Sequence, residues 1–94
     1  MATYFMFGKY TADSLKNISE NRTTKVLSLV KKQGGQVKDV YALLGPYDLV
    51  LVVEYPGNEE AMKGSIAVSR LTGIGFTTSP AVKVEEFDKL ASTL

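Results

Sequence analysis

The chain contains no cysteine and no histidine. That excludes a disulfide scaffold, a thiolate nucleophile, zinc-finger ligation, haem attachment and the usual general base near neutral pH. Charge of one sign is also missing. Eleven basic and ten acidic residues leave a net charge of +1, too little to steer nucleic acid or an acidic partner. No apolar run is long enough to span a bilayer. The opening residues Met1 to Lys9 lack a basic n-region and are too short for an apolar h-region, so a cytoplasmic protein with no membrane partner is expected. Without a secretory signal, the sequons Asn17-Ile18-Ser19 and Asn21-Arg22-Thr23 read as chance. Neither glycine-rich phosphate loop occurs. The carboxylates are scattered, so no metal and no cofactor is expected. The RNP pattern of RNA-binding sheets is absent as well.

What is present is globular: 45% of the residues are hydrophobic and 22% charged over 94 residues, enough for one small domain covering residues 1–94. Thr3 to Tyr10 reads as a strand. Thr11 to Ser14 is a polar break carrying helix-capping residues, and Leu15, Ile18, Val26, Leu29 and Val30 then recur at helical spacing. Gly34-Gly35 stops that helix. Val37 to Leu44 and Tyr47 to Tyr55 read as strands, and the short Gly45-Pro46 connection between them predicts a hairpin. After Pro56-Gly57, Asn58 is a candidate cap for a second helix with Glu59 and Glu60 in its positive first turn. The stripe Ala61, Met62, Ser65, Ile66, Val68, Ser69 and Thr72 is expected to be buried. Gly64 within it costs roughly 1 kcal/mol against alanine, which points to close packing there. Gly73 ends this helix. Ile74 to Val84 is the last strand, confined by Pro80 to an edge or a bulge, and Glu85 to Leu90 is a short terminal helix.

The order strand, helix, strand, strand, helix, strand is the split β-α-β, ferredoxin-like arrangement of an α+β fold, with both helices on one face of a four-stranded antiparallel sheet. The other face of such a sheet is expected to be polar if it meets water. Here it is not. Leu49, Leu51 and Val53 oppose Val50 and Val52, Tyr4 and Met6 oppose Phe5 and Phe7, and Tyr41 and Leu43 oppose Val40, Ala42 and Leu44. An apolar second face needs cover. A second copy of the sheet, packed about a two-fold axis, supplies it most simply. The alternative cover is the C-terminal tail, which is short and charged.

The segment Ala42 to Val50 carries Gly45-x-Tyr47-Asp48 and resembles the signature of the GYD domain family. Tyr4-Phe5-Met6-Phe7-Gly8-Lys9-Tyr10 resembles the family's first strand. Gly34-Gly35-x-Val37, Val53 to Asn58 and Leu71 to Ala81 are similar too, so the resemblance covers nearly the whole chain. It implies a dimeric α/β barrel of ferredoxin-like halves and says little about function. The hairpin is also similar to the effector-binding domain of Lrp/AsnC-type regulators, where the fold senses amino acids at subunit interfaces. No helix-turn-helix precedes the first strand here.

The candidate site is a pocket between sheet and helices, lined by Tyr4, Tyr10, Tyr41, Asp48, Thr77 and Arg70. Phenol groups often line binding sites, and the three tyrosines match in strand parity; packing is the alternative. Asp48 either bonds backbone N–H groups at the turn or lines the pocket. Thr77, Thr78 and Ser79 offer hydroxyls to a polar ligand, or simply satisfy one another at a strand edge. Arg22 and Arg70 fall near helical stripes. An inward arginine needs a carboxylate, from Asp48, Glu54 or an anionic ligand. The leading expectation is therefore a homo-oligomeric small-molecule-binding or regulatory module. A cofactor-independent enzyme, of the monooxygenase or isomerase kind found among dimeric α/β barrels, and a purely structural assembly subunit remain the alternatives.

Overall fold

The computed structural model describes all 94 residues. The elements run β1 (Ala2–Lys9), α1 (Ala12–Lys16), α2 (Glu20–Lys32), β2 (Gln36–Ala42), β3 (Leu49–Tyr55), α3 (Asn58–Thr72), β4 (Gly75–Ala81) and α4 (Val84–Ala91). The four strands form one antiparallel sheet in the order β2-β3-β1-β4. This is the ferredoxin-like arrangement, with α2 and α3 packed side by side on one face. No helix is long and apolar enough to cross a membrane.

Register decides which residues share a face. Tyr4 pairs with Val53 and Met6 with Leu51, while Phe5 pairs with Val52 and Phe7 with Val50. Tyr4, Met6, Leu51, Val53 and Tyr55 enter the core together with Val26 and Val30 of α2 and Ala61 and Val68 of α3. Alternation then sends Phe5, Phe7, Val50 and Val52 to the opposite, helix-free face. Pro80 lies on β4, an edge strand whose outer side needs no donor.

Helix α3 comes close to the sheet at Gly64. A Cβ there would overlap the Tyr55 hydroxyl, so glycine is required to let the tyrosine ring stand under α3. That contact also rotates the helix. The buried positions are Ala61, Gly64, Val68 and Thr72, and Met62 and Ile66, expected in the stripe, are 66% and 54% exposed on its flank. The cap differs as well. Asn58 is the first helical residue rather than the cap, which falls on Gly57, because the Asn58 side chain is engaged elsewhere: its Oδ1 accepts a 2.7 Å bond from the Tyr4 hydroxyl.

The first helical region is two helices, not one. Ser19 starts a new helix by accepting from the Arg22 backbone N–H at 3.0 Å, and Thr11 with Ser14 forms a capping box on α1. The break leaves Leu15 and Ile18 exposed, although their spacing fits the stripe of α2. A second irregularity lies in β2. Val37 pairs with Val53 but Asp39 pairs with Val52, so a bulge occupies Lys38. One inserted residue reverses side-chain facing beyond it.

The tail helix α4 buries none of its residues. With a Cα radius of gyration of 14.2 Å and a long axis of 48 Å, the molecule is more extended than the roughly 12 Å radius of a compact chain this size. The tail therefore covers neither face of the sheet.

Candidate functional site

The hairpin between β2 and β3 is built around one carboxylate. Gly45 takes φ +133°, a region that side chains disfavour, and this turns the chain back. The Tyr47 ring then packs against Phe7, centroids 5.1 Å apart. Asp48 follows with three tethers. Its Oδ2 accepts the Tyr10 backbone N–H at 2.8 Å, its own N–H donates to the Gly8 carbonyl at 2.8 Å, and its carbonyl accepts from Leu43 N–H at 2.8 Å. The carboxylate thus fastens the end of β1 to the hairpin and sets the direction of Tyr10.

Tyr10 points into a cleft between the sheet and the α1–α2 junction. Ile18, Val26, Leu27, Val40, Leu49, Leu51, Ile74 and Phe76 form its apolar wall, and Tyr10, Ser19, Arg22, Thr23 and Thr72 supply polar groups. The cleft holds about 70 Å³, room for a ligand of a few heavy atoms rather than a drug-sized one. Arg22 is the only charged side chain in its lining. The guanidinium donates one bond of 2.6 Å to the Ser14 carbonyl and lies 5.8 Å above the centre of the Tyr10 ring. A cation over a phenol ring is favourable by about 0.5–2 kcal/mol. The carboxylate expected for an inward arginine is not what meets it, since Asp48 is committed to Tyr10 N–H. A guanidinium has five N–H donors, and the remaining ones are free for an acceptor from outside. The cleft is held in shape by bonds at helix ends: Thr11 Oγ1 donates to the Gly73 carbonyl at 3.2 Å, and Thr72 Oγ1 accepts from Ile74 N–H at 3.1 Å.

The GYD domain model matches residues 4–91. The chain belongs to the GYD domain family. Within this GYD domain Asp48 of the signature tethers the end of β1 and the Tyr10 backbone that follows it. A search of curated proteins returns no match. Among solved structures, the fold is similar to the leucine response regulatory protein LrpA of Mycobacterium tuberculosis, with a TM-score of 0.65, 10% identity, and 87% of this chain over 51% of that one. The GYD domain therefore spans about half the length of the regulator. It is also similar to TTHA0845 from Thermus thermophilus, with a TM-score of 0.58, 26% identity, and 88% and 95% of the two chains covered. FFRP-DM1 has a TM-score of 0.58, 23% identity, and 87% and 100% coverage.

The six residues expected to share one pocket are dispersed over this GYD domain. Only Tyr10 lines the Arg22 cleft. Asp48 stands behind it, positioning Tyr10. Tyr4 is buried on the helix side and borders a separate groove between α3 and β4, where Thr78 Oγ1 donates to Ser65 Oγ at 2.9 Å. Tyr41 faces the other way, 56% exposed, because the bulge at Lys38 pairs it with Val50. Thr77 pairs with Phe7 and shares that helix-free face. Arg70 is exposed on the outer surface of the helices. Tyr41, Thr77 and Arg70 therefore cannot line a pocket between sheet and helices. The residues that do line one with Tyr10 include Arg22, Ser19 and Thr23, and of these only Arg22, near a helical stripe, stands out in the sequence.

The carboxylates do not gather into a metal-binding cluster. The ionisable group with a displaced pKa is Tyr55, raised by burial. It lies under Gly64 with its hydroxyl 3.4 Å from Gln33 Oε1, away from the cleft.

Proposed function

We propose that this GYD domain is a homo-oligomeric binding module for a small organic acid, seated in the Arg22 cleft. The observation that carries the reading is the guanidinium itself. It is a partly buried cation in an apolar-walled cleft, with donors to spare and a carbonyl and a ring as its own partners. A carboxylate completes such a fork with two parallel bonds, while a short aliphatic group fills the space against Val26, Leu51 and Ile74. Small size argues for a ligand with only a few carbons. The fold shared with a protein named for its leucine response fits a carboxylate beside a branched apolar group, but the cleft's chemistry supports the reading without it.

Self-association belongs to the same proposal. Phe5, Phe7, Val52 and Tyr41 share a face that no element of the same copy covers, and an apolar sheet face is best covered by another sheet. A regulatory module needs such coupling, because a ligand acts at a distance only by favouring one arrangement of subunits over another.

Isothermal titration with isovalerate, against isovaleramide as the uncharged control, tests the site. Isovalerate is expected to bind and the amide not. Arg22→Met is expected to weaken isovalerate by about 10- to 100-fold, the worth of one charge-assisted pair. Equal binding of acid and amide, or undiminished binding by Arg22→Met, rules the proposal out.

A further inference from the structure

The outer surface of the helix layer carries a groove between α2 and α3 of about 510 Å³, with Ser28, Leu29, Ala67 and Leu71 on its floor. Lys25 and Lys32 stand on the α2 side and Arg70 on the α3 side. The tail helix α4 is shaped the opposite way. At 100° per residue, Val84, Phe87, Leu90 and Ala91 fall on one stripe. Glu86 borders that stripe on one side and Asp88 on the other. Phe87 and Leu90 are 59% and 61% exposed. A ridge of apolar side chains flanked by carboxylates thus matches a trough of apolar side chains flanked by cations.

The same copy cannot make this match. The two residues Val82 and Lys83 connect β4 to α4, and each residue spans at most about 3.6 Å. The groove lies beyond α3, whose own thickness is about 10–12 Å. The two-residue connection therefore does not carry α4 into its own groove. We infer that α4 docks in the α2–α3 groove of a second copy, with Phe87 and Leu90 on Leu29 and Leu71, and with Glu86 and Asp88 facing Lys25, Lys32 and Arg70. This contact uses neither the Arg22 cleft nor the helix-free sheet face. It is a second interface that builds larger assemblies, closed when two copies exchange tails and open-ended when they do not.

The absence of cysteine makes the test direct. A full-length Phe87→Cys/Ala67→Cys variant, oxidised in dilute solution, is expected to form covalent multimers joined through these two positions. A Glu85→Cys/Ala67→Cys variant, whose cysteine lies on the far side of α4, is expected to stay uncrosslinked. Crosslinking confined to single chains, or equal crosslinking of both variants, overturns the inference. A charge exchange gives the second measurement. Glu86→Lys/Asp88→Lys is expected to lower the assembly mass in light scattering, and adding Lys25→Glu/Arg70→Glu to restore it. The wild-type mass retained by the lysine pair also overturns it. Loss of the sheet-face contact by Val52→Lys would leave this crosslink intact, so the two interfaces fail separately.

Discussion

The two faces of the sheet are made from similar side chains and end in different states. On the helix side, Met6, Val53 and Tyr55 have no exposed surface, and Tyr4 and Leu51 only 2%. On the other side Phe5, Phe7 and Tyr47 pack as a row of tilted rings, Phe5 and Phe7 at 6.1 Å, with no helix above them. The polar groups follow the same division. Tyr4 and Tyr55 find side-chain partners beneath α3 and at the end of α2, whereas Tyr41 on the open side has none among the side chains. Apolar character in a strand therefore shows that a face is to be covered. It does not show whether the cover comes from the same chain. Here α2 and α3 cover one face, and no helix of the same chain covers the other.

The largest expected effect comes from breaking the covered face. Met6→Ala should cost about 2–5 kcal/mol in urea unfolding, from lost burial plus the cavity left behind. Phe5→Ala, one residue along and facing the other way, should cost clearly less in dilute solution, because the ring is still partly wet. Equal costs would mean that the open face is as well packed as the core. Association should reverse the ranking. Val52→Lys places a charge in the middle of the open face, and mass by light scattering is expected to fall to that of a smaller species, with the fold kept by far-ultraviolet circular dichroism. Wild-type mass for Val52→Lys would remove the sheet face from the list of interfaces.

Much of this was legible from the chain. The order of elements, the hairpin at Gly45-Pro46, the edge position of Pro80 and the close packing at Gly64 each follow from a local rule that nothing in the tertiary structure opposes. The second apolar face was visible as apolar residues at both parities. What was not legible depends on single-residue shifts of phase. The bulge at Lys38 reverses Tyr41, and no glycine or proline marks it. The new start at Ser19 takes Leu15 and Ile18 off a stripe whose spacing they satisfy. Gly64 announced a close approach, but only the Tyr55 ring beneath it fixes how far α3 turns and so exposes Met62 and Ile66. Of the six residues expected to share a pocket, only Tyr10 lines the Arg22 cleft, because which side chains meet there depends on those same phase shifts. Arg22 and Arg70 both fall near helical stripes, yet Arg70 lies on the outer surface, and the partners of Arg22, a carbonyl and a ring, are set by the α1–α2 break.

A smaller effect sharpens the link between the signature and the cleft. Asp48→Ala leaves the Tyr10 N–H without its charged acceptor, an expected loss of about 1.5–3 kcal/mol in unfolding. The same variant should bind isovalerate more weakly, although Asp48 lies outside the cleft lining, because Tyr10 and the guanidinium above it lose their fixed position. Lost stability with unchanged affinity would show that the tether serves the hairpin alone.

The smallest expected effect is a pH dependence that the covered face places on one tyrosine. Burial raises the Tyr55 hydroxyl above the usual value near 10. Below that value the hydroxyl is protonated in both the folded and unfolded chain, so it adds no pH dependence. As the pH climbs past 10 the unfolded chain loses its proton first, and the folded state is penalised until its own raised pKa is passed. Melting temperature should thus be level in this group from pH 7 to about 9 and decline above about 10. Tyr55→Phe gives up only the long bond to Gln33, a cost of about 0.5–1 kcal/mol at neutral pH, and should show a shallower fall at alkaline pH than the wild type. An alkaline slope unchanged in Tyr55→Phe would show that burial beneath α3 does not act on the ionisation of this tyrosine.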